Sequence, residues 1–304
     1  MVLNVIRPFF VEIPNRRELG HDLLQEVELK IDFSGHRRAV SLCLLAGIVG
    51  LLPAPGVGEE ERKPDSRPEL WFPVGERLEY RIFWGVVPVG EAVITTEWVN
   101  PEGAGGESEL LAIRLKATSN RVIEAIYPMH IQVESLIEPH TFLPVRYTLK
   151  SREGRRRKHE ITEFDHENGV AHWKSLTGDS AEEFELEADT RDLVSFAYYM
   201  RKKGFEKGER THHRVMADDK IYDLWMEGVD TERIRLRQYG RIPSTEVVPE
   251  AAFEGVFRRE GKITFWVSRD DRQLLTRMDG SIPVASVRLL LERVRGPGSG
   301  DWPG

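Results

Sequence analysis

The chain has 304 residues, 40% of them hydrophobic and 9% aromatic, which is enough apolar surface for one large core or two ordinary ones. Forty-three Lys and Arg stand against 50 Asp and Glu, giving a net charge of −7. That field repels polyanions and argues against nucleic acid as a partner, and a single cysteine, Cys43, excludes a disulfide framework within the chain.

The first readable element begins at His36-Arg37-Arg38, a basic flank followed by the apolar run Ala39 to Leu52 and then by "PAPGVG". The run is too short to span a bilayer, which takes about 20 residues, and it has the layout of a secretory signal. Residues 36–58 are therefore expected to be a signal peptide cleaved near Gly56 or Gly58, and the protein to be periplasmic or in the outer envelope. Signals normally begin near the chain start, so residues 1–35 read as an extension arising from a start site assigned too early. The alternative is an anchored protein with a short cytoplasmic tail. Cys43 lies inside the apolar run behind Leu42, unlike a lipidated cysteine, and its removal with the signal would leave neither thiolate catalysis nor Cys-ligated zinc.

Residues 59–70 are charged and Pro-containing and read as a linker. One mainly-β domain is expected over 71–294, with a disordered tail over 295–304. Period-two alternation runs through Leu78, Tyr80, Ile82 and Trp84, then Ile131, Val133 and Ile137, then Leu143, Val145, Tyr147 and Leu149, and finally Ile263, Phe265 and Val267. Turn signals at Glu167–Gly169, Asp218–Lys220 and Arg259–Gly261 make the pairing antiparallel. A short helix is expected after Ser119-Asn120, stopped by Pro128. A longer one is capped by Asp189 or Thr190, carries the stripe Leu193, Phe196, Ala197 and Met200, and ends in Arg201-Lys202-Lys203 before Gly204. The predicted fold is mainly β: ten to twelve strands in a large antiparallel curved sheet, a half-barrel or a barrel, with one or two α-helices packed on or in it.

Several stretches together resemble the bacterial domain-of-unknown-function 3108 family. They are "FPVGERLEYRIFWGVVPVGEA" from Phe72, "FDHENG" from Phe164, "DTRDLVSFAYYMR" from Asp189, and "GKITFWVSRDDRQLLTRMDGSIPVASVRLLLE" ending at Glu292. The family often has a proline after the Asp-Asp-Arg turn, where this chain has Leu274-Leu275. The resemblance implies an exported bacterial envelope protein built mainly from strands and transfers no catalytic residue.

The chemistry-bearing residues give little support to catalysis or metal binding. No Gly-x-Ser-x-Gly, Ser-x-x-Lys or Gly-rich phosphate loop is present. Asp270-Asp271 and Asp218-Asp219 read as turn formers, and Glu76 and Glu79 as solvent-facing. His212 and His213, adjacent on a strand, point to opposite faces. His159, Glu163 and Asp165 share a face that Ile161 interrupts, so neither metal nor other cofactor is expected. The four bases Arg155, Arg156, Arg157 and Lys158 form a hairpin tip suited to an anionic surface. The strand aromatics Tyr80, Trp84, Trp98, Trp225 and Trp266 are candidates to line an apolar cavity in the curved sheet.

The resulting expectation is a non-catalytic exported protein that binds a lipid-like or other hydrophobic ligand, touching membrane only peripherally once the signal is cleaved. The alternatives are a structural or assembly module that meets an envelope protein through its outer surface, and a hydrolase of envelope polymers using carboxylates such as Asp271 or Glu160.

Overall fold

The computed structural model describes residues 67–100, 109–217, 220–253, 256–257, 262–282 and 285–300. The expected signal segment, most of the linker, Asp218-Asp219 and the Arg259–Gly261 turn lie outside the described residues.

The first half of the sheet is β1 (Arg77–Trp84), β2 (Val87–Val99), β3 (Leu110–Ser119), β4 (Met129–Glu138), β5 (Leu143–Glu153), β6 (Arg156–Asp165), β7 (Val170–Ser175) and β8 (Ala181–Glu185). The second half is β9 (Arg191–Asp192), β10 (Arg210–Ala217), β11 (Lys220–Leu236), β12 (Gly240–Phe253), β13 (Val256–Phe257), β14 (Lys262–Ser268), β15 (Leu275–Ile282) and β16 (Ala285–Arg295). The spatial order runs β8 back through β1, crosses to β16, and continues through β15, β14, β12, β11 and β10 to β9. It is one large curved sheet that does not close. Every pair is antiparallel except β9 with β10.

The strands outnumber the ten to twelve expected because some carry no apolar period of their own. β8 is Ala-Glu-Glu-Phe-Glu and is held by backbone pairing to β7, while β9 and β13 are two residues long and set by their neighbours. Alternation works where one face is buried. In β1, Leu78, Tyr80 and Ile82 are buried while Arg77, Glu79 and Arg81 face outward, where Arg81 pairs with Glu292 and Arg295 with Glu79 at 3.1 Å.

Two helices interrupt the meander. α1 (Arg121–Ile126) is capped by Asn120, whose side chain accepts from the backbone N–H groups of Val122 and Ile123. α2 (Leu193–Tyr199) runs on into a single 3₁₀ turn over Met200–Lys202, and Gly204 stands just beyond at φ 74°. Its cap is Asp192, not Asp189 or Thr190, because Asp189 sits at φ 65°. Oδ1 of Asp192 accepts from Val194 and Ser195 N–H at 2.7 and 3.0 Å. Its Oδ2 accepts the Ser195 hydroxyl at 2.9 Å and the Ser135 hydroxyl at 2.6 Å. Ser135 belongs to β4, so the helix start is tied across the hollow of the sheet to a strand that is not its ladder neighbour.

The core lies between α2 and the concave face. The end of the sheet where β1 begins is closed by aromatic rings: Trp71 against Phe142 at 4.5 Å and Phe72 against Tyr198 at 4.7 Å, with Trp71 Nε1 donating to the Tyr198 carbonyl at 2.8 Å. Residues 296–300 fold back beside Pro73 and Gly75. At the other end, β1 turns into β2 through Gly85-Val86, with Gly85 at φ 57°. Gly90 is not part of that bend. It is within β2 opposite Ser119, and a β-carbon there would collide with the Thr118 carbonyl.

Candidate functional site

An apolar cavity of about 240 Å³ lies between α2 and the concave sheet. Leu78, Tyr80 and Ile82 of β1 form one wall, Leu224, Met226 and Val247 of β11 and β12 another, and Leu193, Phe196 and Ala197 of α2 the roof. Ile94, Leu115, Phe265, Val267, Leu275 and Leu289 point into it and stay only half-buried, because no protein side chain covers them. Strand alternation puts them on this face: Leu115 lies between Arg114 and Lys116, and Phe265 and Val267 flank Trp266, whose side chain takes the other face.

The closed end of the cavity holds a buried ion pair. The Arg201 guanidinium, at the end of α2, meets the Glu76 carboxylate through both nitrogens, with Nη2 to Oε2 at 3.1 Å. Their side chains are 7% and 3% exposed. Arg201 Nε also donates to the Arg272 carbonyl at 3.1 Å, and its guanidinium stands 4.8 Å from the Tyr198 ring centre. Burial pulls the Arg201 pKa down, but the hydrogen bonds and charge of Glu76 outweigh it and leave the group raised. Tyr80 and Tyr198 stand beside this pair, and burial first, with the Glu76 charge adding to it, pushes both phenols up. Both stay protonated at neutral pH, so neither is poised as a base. Glu76 is therefore not solvent-facing as its sequence position suggests: it precedes the first strand, where the period-two rule does not assign a face.

Of the five aromatics expected to line a cavity, Tyr80 is on its wall. Trp225 and Trp266 lie between lining residues on their strands, so they face the opposite side. There Trp225 packs on His212 with ring centres 4.7 Å apart, and Trp266 lies under the Arg277 guanidinium at 4.4 Å. Trp98 shares the facing of Ala92 and Ile94 but lies further along β2 and packs on the main core. Trp84 shares the facing of Tyr80, but β1 ends there and its ring is exposed. Phe196, Phe205, Phe265 and Arg201 complete the site. Arg201 had a legible signal, standing four residues after Ala197 and eight after Leu193 on the same helical stripe.

The basic run forms the β5–β6 tip. Arg155, Arg156 and Arg157 are exposed and Lys158 half-buried, its Nζ 3.2 Å from Glu160. Asp270 takes a turn role, accepting from the Ser268 hydroxyl at 2.6 Å and from Arg272 at 2.7 Å. Among the described residues no three His, Cys, Asp or Glu side chains gather as a metal site. Nor is any helix among them long and apolar enough to cross a membrane.

A family model described as a protein of unknown function, DUF3108, matches residues 79–292. The chain belongs to the DUF3108 family. The match spans every cavity wall except Leu78, and Glu76 lies just ahead of it. Among solved structures, the DUF3108 chain is similar to a β-barrel-like protein of the DUF1849 domain from Brucella abortus. The TM-score is 0.51 at 10% identity, over 74% of this chain and 98% of that one. A DUF1089-family protein from Pseudomonas aeruginosa aligns with a TM-score of 0.30 and 12% identity, over 69% and 92%. The first likeness concerns fold alone, and the second is too low to carry an argument. Comparison with curated proteins returns no match.

Proposed function

We propose that this DUF3108 protein is a non-catalytic binding protein that takes an apolar, lipid-like chain into the space between α2 and the concave sheet. The observation that carries the reading is the apolar cavity of about 240 Å³. Its half-buried lining leaves apolar surface facing solvent, at a cost of about 25 cal/mol per Å², which a bound apolar chain would recover. Larger side chains at Ala197 or Ala92 would remove that cost. A dry engineered cavity of about 150 Å³ already binds benzene, and this one has more room. Export to the periplasm or outer envelope belongs to the same proposal and rests on the basic flank and apolar run at 36–58; a lipid-like ligand is abundant there.

The test is binding of N-phenyl-1-naphthylamine, followed by its fluorescence, alongside native mass spectrometry of protein isolated from its own envelope. Saturable probe binding is expected, together with added mass on the polypeptide. Ala197→Phe should abolish probe binding while leaving thermal stability intact, since it fills space rather than opening it. Unchanged probe binding in that variant, with a bare mass for the isolated protein, overturns the proposal.

A further inference from the structure

Seven large apolar side chains are exposed among the described residues, and five of them gather at one end of the sheet. Trp84, Val86 and Val87 form the β1–β2 turn, with Val86 92% exposed, while Val122 and Ile126, 71% and 67% exposed, share one face of α1. The two elements are bound together: Asn120 donates through Nδ2 to the Pro88 carbonyl at 2.6 Å and through its backbone to the Val89 carbonyl at 2.8 Å. α1 buries none of its residues. A single-turn helix with that exposure is held by its cap, not by packing.

The basic tip lies on the other side of α1. Gly154 N–H donates to the Pro128 carbonyl at 2.8 Å, and Gly154 rests against the Tyr127 ring, directly after the helix. Exposed Arg155, Arg156 and Arg157 follow, with exposed Arg152 paired across the hairpin to Arg157, and exposed Arg121 opens α1 itself. The nearby acid Glu124 is engaged by the Ser119 hydroxyl at 2.5 Å and by His130 at 2.7 Å. A protein whose net charge is −7 thus gathers five exposed arginines beside this exposed apolar turn and helix.

We propose that this end of the sheet docks on an anionic phospholipid surface, with the β1–β2 turn and α1 entering the interface and the arginine tip contacting headgroups. Protruding apolar tips suit the headgroup and acyl boundary, with a tryptophan at its rim, and a basic ring supplies the charge complement. The inference does not depend on the cavity binding a ligand.

The test uses the full chain with Cys43→Ser and Val86→Cys carrying an environment-sensitive fluorophore. Every variant shares the apolar run at 39–52, so its own affinity cancels. With equimolar phosphatidylcholine and phosphatidylglycerol vesicles the emission should shift to the blue, and with pure phosphatidylcholine far less. Neutralising Arg155, Arg156 and Arg157 to Gln should weaken vesicle binding about fivefold per arginine, roughly a hundredfold in all. The exposed arginines Arg235, Arg237 and Arg241 lie at the opposite end of the sheet without an exposed apolar neighbour, and neutralising them should change nothing. The proposal is overturned by an unshifted emission, by equal loss at the two ends, or by equal binding to neutral vesicles. It is also overturned if Val122→Asp with Ile126→Asp abolishes self-association and leaves vesicle binding intact, which would assign the patch to a second copy.

Discussion

Removing one partner of the Glu76–Arg201 pair should be among the most damaging changes to this fold. The two side chains are 3% and 7% exposed, so Glu76→Leu alone strands a guanidinium beside Tyr198 and Phe72, and Arg201→Met alone strands a carboxylate. Breaking a buried pair by removing one partner costs about 3–5 kcal/mol. In a domain of this size 1 kcal/mol moves the melting temperature by roughly 2–4 °C, so either single variant should melt about 12 °C lower. The double variant should recover most of that loss, because an apolar pair of similar volume removes both desolvation costs. It should still lie about 1–2 kcal/mol below wild type, since Arg201 also donates to Arg272 O at 3.1 Å and stacks over Tyr198. Urea unfolding of the four proteins forms a double-mutant cycle. Additive costs, or a single variant losing less than about 1 kcal/mol, would mean that water reaches the pair and that the cavity's closed end is open.

Two further outcomes follow from buried polar groups. His213 is depressed to about 4 by burial first, then by the Arg191 and His212 charges. Its ring faces Phe196 at 5.1 Å and the Thr211 hydroxyl at 2.9 Å. Above its unfolded value of about 6.5 both states are neutral and it contributes nothing; as pH falls from 6.5 towards 4 only the unfolded chain takes up the proton, so stability declines, and solvent screening of the half-exposed ring holds the loss to about 1–2 kcal/mol. His213→Gln should flatten that part of the stability profile measured by urea unfolding at each pH, and an unchanged slope refutes the assignment. For the α2 cap, Asp192→Ala should cost about 2–4 kcal/mol, because Ser135 and the first helical N–H groups lose their acceptor. Asp192→Asn keeps an acceptor oxygen for Val194 and Ser195 and should cost about 1 kcal/mol; equal losses in the two variants would show that the charge, not the geometry, holds the helix.

Sequence alone made the class of fold legible, because alternation such as Leu78, Tyr80 and Ile82 is enforced wherever one face is buried. It did not reveal which face was inside. Trp225 sits between Leu224 and Met226, and Trp266 between Phe265 and Val267, so both phases of each strand are apolar and pattern cannot choose between them. Edge strands were missed for a related reason: β8 is fixed by backbone hydrogen bonds to β7, and its glutamates carry no facing signal. Arg201 read as a cation suited to a helix end. Helical spacing from Leu193 and Ala197 nonetheless puts it on the lumen side, where only the fold supplies Glu76, 125 residues away.

That long-range pair bears on what the cavity accepts. Arg201 already has a carboxylate seated on both nitrogens, and a ligand carboxylate could reach it only by displacing Glu76 into an apolar wall, at the cost of a broken buried pair. The closed end therefore presents no free charge to a ligand, and the remaining wall is Leu, Ile, Val, Met, Phe and Ala with Tyr80, Tyr198 and the neutral Gln273. On the proposed binding function, a ligand with one polar group sits with its apolar part toward Arg201 and its polar part toward the Trp84 end. Val287 lines the cavity and pairs in register with Trp84, so that orientation places the polar group beside the exposed turn and the arginine tip. The two proposals were reached from different residues and remain separately testable. Together they describe a sheet closed by aromatic rings and a neutralised ion pair at one end, with its apolar and basic surface at the other.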